Sequence, residues 1–310
     1  MPESNSFFKV LRKSSGFRLS VLFGSFFFLL LLSSILSLGL NELKIGSPRD
    51  HALIGSAIQA IFVFCLPAVI LARFSSDNWS GWLDLKTKPP VMALIGVLIV
   101  YVISMPAMEW LIEFNKNIHL PEALEGIEKT MRDWEENSEH TTEILLSSTG
   151  IVSMLIGVFV IGILTGFSEE LFFRGGLQGI FVRSAMKVDA AVWLTAFAFS
   201  FMHFQFFGFF PRLIMGVFFG YLLIWTRSIW VPVFAHVLNN SFVVVTAYLL
   251  ERTDQSSGDF NLLPFTSDNI IGFLASFVIT VLFFMFCKDL FFKQSMKKWL
   301  KSQLPPVSEK

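Results

Sequence analysis

The chain has 310 residues, of which 54% are hydrophobic, 37 are Phe and only 15% are charged, against about a quarter charged in a soluble domain. Lys plus Arg and Asp plus Glu balance at 24 each, so no net basic field calls for nucleic acid, and none is expected as a partner. The partner this composition calls for is a lipid bilayer, and the fold class expected is all-α: a polytopic membrane helix bundle with about eight transmembrane helices.

In chain order, Lys9, Arg12, Lys13 and Arg18 precede an apolar run from Leu19 to Leu40. That run exceeds the core of a signal peptide and no A-x-A site follows it, so it reads as a retained first span. Further apolar runs lie at about 52–72, 91–112, 148–168, 189–204, 212–226, 229–250 and 269–287, with the fifth and sixth spans of the eight shorter than the rest. Continuous apolar runs, rather than alternating ones, exclude a barrel. Trp225 and Trp230 flank the turn at Arg227 as interfacial aromatics do, and Gly216-x-x-x-Gly220 marks close helix packing. Cys65 and Cys287 sit in apolar runs and read as buried thiols rather than a disulfide or metal pair.

Seventeen of the 24 Lys and Arg residues fall in segments 1–18, 73–90, 174–188, at Arg227 and in 288–310; seven fall in the alternate loops. This bias places both termini in the cytoplasm, and the membrane expected is a bacterial plasma membrane. The loop 113–147 carries nine carboxylates against three bases and reads as a solvated, partly helical excursion. The expected organisation is an N-terminal three-helix membrane region (1–147) that includes this loop, a polar-bearing core (148–250), and a C-terminal helix with a basic cytoplasmic tail (251–310).

Three polar clusters interrupt the apolar runs, where an ionisable group costs several kcal/mol unless paired or wet. The first is Gly166-Phe-Ser-Glu169-Glu170-Leu-Phe-Phe-Arg174-Gly175-Gly176. Glu170 and Arg174 stand at i,i+4 and can pair on one helix face, which leaves Glu169 about 100° away and unpaired. The second is Phe199-x-x-x-His203 and the third His236-x-x-x-Asn240, each pair on one face. Taken singly, each has a structural explanation: a charged helix end at the interface, a hydrogen-bonded core histidine, an interhelical hydrogen bond. Together they set Glu, His, His and Asn on three membrane helices, and those types suit hydrolysis. A carboxylate can take the proton of water, while amide or imidazole N–H groups can hold an oxyanion. Two imidazoles and a carboxylate are equally a zinc set with an open position.

Glu169-Glu170-x-x-x-Arg174, Phe199-x-x-x-His203 and His236-x-x-x-Asn240, in this order on successive apolar helices, resemble the signature of the CPBP family, intramembrane proteases related to type II CAAX prenyl endopeptidases and bacterial Abi immunity proteins. The resemblance covers about residues 150–250, so 148–250 becomes the expected catalytic core. It implies an endopeptidase, glutamate-type or metalloprotease, cleaving a membrane-anchored or hydrophobic peptide or protein. Carried over, Glu169 activates water with help from His203, His236 and Asn240 hold the oxyanion, and Glu170 and Arg174 support the site. If a divalent metal is used, zinc first, its ligands are Glu169, His203 and His236. The alternative class is a non-catalytic immunity or scaffold protein, or a transporter, that keeps the cluster for binding or packing.

Other intramembrane protease designs fit less well. There is no H-E-x-x-H, Glu169 stands where a rhomboid-like Gly-x-Ser-Gly needs its last Gly, and no Asp lies in the middle of a span. Depth raises a difficulty. Counted from the turn near Lys187, Glu169 and His203 both lie roughly 25 Å in, at ~1.5 Å per residue, whereas His236 is only ~12 Å beyond Ser228. The levels meet only if a helix bends or tilts, and Gly175-Gly176 is the expected place. The resemblance favours a cavity open to the cytoplasm.

Overall fold

The computed structural model describes residues 14–42, 46–148, 150–184, 186–252 and 270–303. Lys9, Arg12, Lys13, Lys44 and Lys310, which enter the charge count, lie outside the described residues, as does the loop 253–269. Every regular element among the described residues is helical. We number them α1 (Ser15–Glu42), α2 (Pro48–Ser75), α3 (Val91–Lys116), α4 (Glu125–Leu146), α5 (Ile151–Arg183), α6 (Val188–Phe201), α7 (Phe209–Thr226), α8 (Trp230–Arg252) and α9 (Ile270–Gln303).

Seven of these are long and apolar enough to cross a membrane: α1, α2, α3, α5, α7, α8 and α9. The protein is thus a multi-pass membrane helix bundle. Side chains such as Phe28 and Val152 stand more than 60% exposed on its surface, where lipid rather than water accounts for them. The expected span at 189–204 is the difference. α6 has 14 residues, about 21 Å at 1.5 Å per residue, short of the roughly 30 Å hydrocarbon. It stops because the chain turns over at Phe204, whose φ of +53° no helix continues.

α6 still links the two ends of the bundle. At its start, the Arg183 guanidinium donates to the carbonyl of Trp82 at 2.7 Å, beside the loop that precedes α3. Past its end, Asn115 in the last turn of α3 donates to the carbonyl of Phe206 at 3.1 Å and accepts from the N–H of Phe210 at 2.8 Å. α7 then returns to the first end, where Ser228 donates to the carbonyl of Thr87 at 2.6 Å and Trp230 to that of Leu85 at 2.9 Å.

The core gathers Leu22 and Phe26 of α1, Val63 and Leu71 of α2, Leu171 to Phe173 of α5, Phe199 of α6, Leu223 of α7 and Val233 of α8. α6 and α7 approach closely because Gly216 and Gly220 face α6; a Cβ at Gly216 would stand 3.0 Å from the Cβ of Ala196. The same bare backbone exposes two carbonyls. Arg174 donates to that of Gly216 at 3.0 Å and Gln178, one turn on, to that of Gly220 at 3.1 Å, so two rungs bolt α5 to α7. Pro106 interrupts α3, and there Ser276 of α9 accepts from the N–H of Ala107 and donates to the carbonyl of Ile103. Cys65 and Cys287 are both free thiols, and Cys287 is buried.

α5 is not a regular helix. Val158–Thr165 and Leu171–Gln178 are π-helical, and between them sits the short α-helical piece Gly166–Glu170. π-Helical turns release carbonyls and shift side chains round the axis, and they recur at functional sites. Gly175 and Gly176, the expected bend, lie inside the second π-helical stretch.

The loop 113–147 is largely the 22-residue helix α4, which carries no buried residue. Glu128 anchors its start, accepting from the N–H of Leu120 at 2.7 Å and from Arg132 and His119. The Leu120 amide first, and the Arg132 guanidinium next, hold its carboxyl down at about 2, from an ordinary 4.5. A depressed carboxyl stabilises above its unfolded value and loses that contribution as pH falls through the folded one. Hydrogen exchange at the Leu120 amide should therefore stay slow at pH 4 and accelerate only as the pH approaches about 2. Opening near pH 4.5 would mean that the network does not form.

Candidate active site

The π-helical turns of α5 deliver Glu169 and Glu170 to the middle of the bundle, where Glu170 and Arg174 are fully buried and Glu169 is 8% exposed. Arg174 donates from Nη1 to Oε1 of Glu170 at 2.7 Å. The rings of Phe199, Phe219 and Phe173 surround its guanidinium, with centroids 4.7, 5.3 and 6.0 Å away. Arg174 was counted among the interfacial basic residues; buried in this way it is no surface charge, and the cytoplasmic surplus falls by one.

His236 closes the chain of contacts. Its Nδ1 donates to the same Oε1 of Glu170 at 2.8 Å, since a carboxylate can only accept. That fixes the ring, and Nε2 stands 3.7 Å from Oε2 of Glu169. The imidazole lies over Phe219 (5.3 Å, 28°) and meets the edge of Phe199 (5.8 Å, 85°). The depth arithmetic set His236 well short of Glu169, but the structure brings the two together. Two local features do this. α5 runs through π-helical turns on both sides of Glu169. Gly166 also lets α8 approach so closely that a Cβ there would stand 3.3 Å from the Val237 amide nitrogen.

His203 lies just beyond the end of α6. Its Nδ1 donates to the carbonyl of Phe199 at 2.7 Å, which leaves Nε2 as an acceptor on a neutral ring. Phe199 touches both imidazoles, with the His203 ring 4.9 Å away. Asn240 donates to the carbonyl of Ile161 at 3.1 Å, a carbonyl of the first π-helical stretch, and keeps its second amide hydrogen free of that bond. Asn239 donates to Oδ1 of Asn240 at 3.2 Å and so sets which way that amide points.

Among the described residues no three His, Cys, Asp or Glu side chains gather to hold a metal ion. Of Glu169, His203 and His236, the set expected if zinc is used, Glu169 and His236 approach to 3.7 Å.

Arg212, read only as a loop charge from the sequence, joins the site's electrostatics. Its guanidinium lies within electrostatic reach of Glu169 in the bundle and of Glu135 on α4. Arg212 thus links the site electrostatically to α4, while Phe167, two residues before Glu169, stacks on Trp230 toward the other end of the bundle (5.7 Å, 21°). Gln178 also escaped notice, although its place four residues after Arg174 on the Glu170 face was a readable signal. Beside the site, α3, α7, α8 and α9 enclose an apolar cavity of about 850 Å³ that reaches Phe219, Ala235 and Asn239.

No curated protein and no solved structure matches the chain. Residues 151–242, which hold Glu169, His203, His236 and Asn240, match the family model described as type II CAAX prenyl endopeptidase Rce1-like, and it is to this family that the stretch is similar.

Proposed function

We propose that the protein is an intramembrane endopeptidase whose catalytic core is 148–250 and whose general base is Glu169. The observation that carries this reading is the buried relay Arg174–Glu170–His236, which ends with Nε2 of His236 facing Glu169 across 3.7 Å. A water seated there donates one hydrogen to Glu169 and the other to Nε2. Its oxygen attacks the scissile carbonyl carbon as Glu169 takes the proton. The second N–H of Asn240 holds the oxyanion. The C–N bond then breaks as Glu169 returns the proton to the departing nitrogen. His203, with Nε2 as acceptor, takes the N–H of the scissile amide and so orients the substrate. The matched family's description names prenylated substrates, and the apolar cavity beside His236 suits a hydrocarbon chain on a membrane-anchored peptide.

This chemistry needs no metal, because the histidines and Glu169 act as proton carriers and acceptors. Asn240→Ala should then lower kcat about 10²- to 10³-fold on a prenylated fluorogenic peptide with little change in KM. Chelation and zinc add-back should leave the wild type unaltered. Stoichiometric zinc lost together with activity in His203→Ala would replace this mechanism with a metal-dependent one.

The Lys and Arg surplus supports both ends in the cytoplasm of a bacterial plasma membrane. With that orientation α4 faces outward, and the family resemblance implies a cavity open on the opposite, cytoplasmic side. A Ser138→Cys label on α4 decides. We expect an impermeant reagent to reach it from outside; labelling only from the cytoplasm would invert the topology.

A further inference from the structure

His203 stands at the start of a turn that is held partly from outside. The chain reverses through Phe204 in the left-handed region, φ +53°, which a residue with a bulky side chain rarely adopts, so the surroundings must fix it. Within the 151–242 match, Ser200 donates to the carbonyl of Phe209 at 2.7 Å and Arg212 donates to Gln205, and a second set of contacts comes from outside that match. Glu135 of α4 accepts from the N–H of Phe207 at 3.2 Å. Trp134 meets Phe204 edge-on (6.0 Å, 87°) and stacks along Phe206 (6.2 Å, 28°). The guanidinium of Arg132 lies 4.2 Å from the centroid of the Phe207 ring. From α3, the buried Asn115 bonds the backbone at Phe206 and Phe210. The extramembrane helix thus grips three residues, Phe204, Phe206 and Phe207, of the loop that begins immediately after the histidine. Glu135 also reaches Arg212, which reaches Glu169.

We propose that α4 is a clamp that positions His203, with Trp134 and Glu135 as its positioning residues. The inference rests on the reading of His203 as part of the hydrolytic site. Its physical basis is that a reacting group displaced by about 1 Å costs up to about 100-fold in rate, whereas the apolar bundle that binds substrate is untouched. Trp134 is 45% exposed and α4 has no buried residue, so truncation at its surface should leave the bundle folded.

The test compares Trp134→Ala and Glu135→Ala with the conservative Trp134→Phe and Glu135→Gln, and with Glu136→Ala on an exposed part of α4, in the full-length protein. Phe keeps a ring against the turn, and Gln keeps an acceptor for the Phe207 N–H. With the prenylated fluorogenic peptide, we expect both Ala variants to lower kcat between about 10- and 100-fold with KM changed less than about twofold. The conservative variants and Glu136→Ala should stay near wild type. Hydrogen exchange at the Phe207 amide should speed up in Glu135→Ala and not in Glu135→Gln. Unchanged kcat in both Ala variants, beside an inactive Glu169→Gln, overturns the clamp and leaves the protease reading standing. If Glu169→Gln keeps full turnover, or the wild type does not cleave the peptide, the protease reading fails or lacks its substrate. The exchange data then decide the clamp alone, and unchanged Phe207 exchange in both Ala variants overturns it.

Discussion

Glu169→Gln should abolish turnover while leaving a normally folded protein. The substitution keeps shape and hydrogen-bonding capacity but removes the lone carboxylate facing Nε2 of His236, and with it the only group in the proposed mechanism that both accepts and returns a proton. General-base catalysis is worth about 10²- to 10⁴-fold, so kcat should fall at least by that much. Glu169 makes no contact with the Arg174 guanidinium comparable to that of Glu170, so thermal stability should change little. Purified enzyme in detergent or liposomes, assayed by kcat and by thermal unfolding, checks both halves. Appreciable residual turnover in Glu169→Gln would remove it from the role of base.

Arg174→Ala should act on folding first. The guanidinium and the Glu170 carboxylate are both fully buried and bonded at 2.7 Å, and Oε2 of Glu170 has no hydrogen-bond partner among the described residues. Removing one member strands the other charge, which costs about 3 to 5 kcal/mol. The bond to the Gly216 carbonyl goes with it, so the α5–α7 contact loosens as well. The expected result is a lower yield of folded protein and a lower thermal midpoint. A paired change, Glu170→Leu with Arg174→Met, separates stability from chemistry. Replacing a buried ion pair with apolar residues of similar volume is often neutral or stabilising, so the double variant should fold better than Arg174→Ala. It should still be inactive, because His236 loses the carboxylate that holds Nδ1. A stable but inactive Arg174→Ala would instead place Arg174 in direct contact with substrate.

What the sequence made legible was local. The apolar runs announce the membrane helices because a span must satisfy its backbone internally over some 20 residues. The pairs Glu170/Arg174, Phe199/His203 and His236/Asn240 are visible because i,i+4 spacing places side chains on one face whatever the tertiary context. Gly216 and Gly220 marked close packing for the same reason. The partner of Glu169 was not legible. Depth counted at a constant rise assumes regular helices, and α5 is π-helical on both sides of Glu169, so the arithmetic pointed to His203 and away from His236. Nor does hydropathy reveal that α6 stops at Phe201, because the apolar character runs on through Phe204 to Phe210 while the backbone turns over. Arg212, Glu135 and Asn115 looked like loop or helix-end polar residues. Their meaning lies in contacts between segments distant in sequence, which no local pattern encodes.

The central claim is that Glu169, set against His236 by the Glu170–Arg174 pair, drives hydrolysis of membrane-associated peptides. The most direct test compares the peptides released from membranes carrying the wild type with those from membranes carrying Glu169→Gln at equal folded level. The account predicts a set of products with new termini that appears with the wild type and is missing with Glu169→Gln. Identical peptide sets in the two membranes would contradict it and favour a non-catalytic protein that uses the same buried cluster for packing or binding.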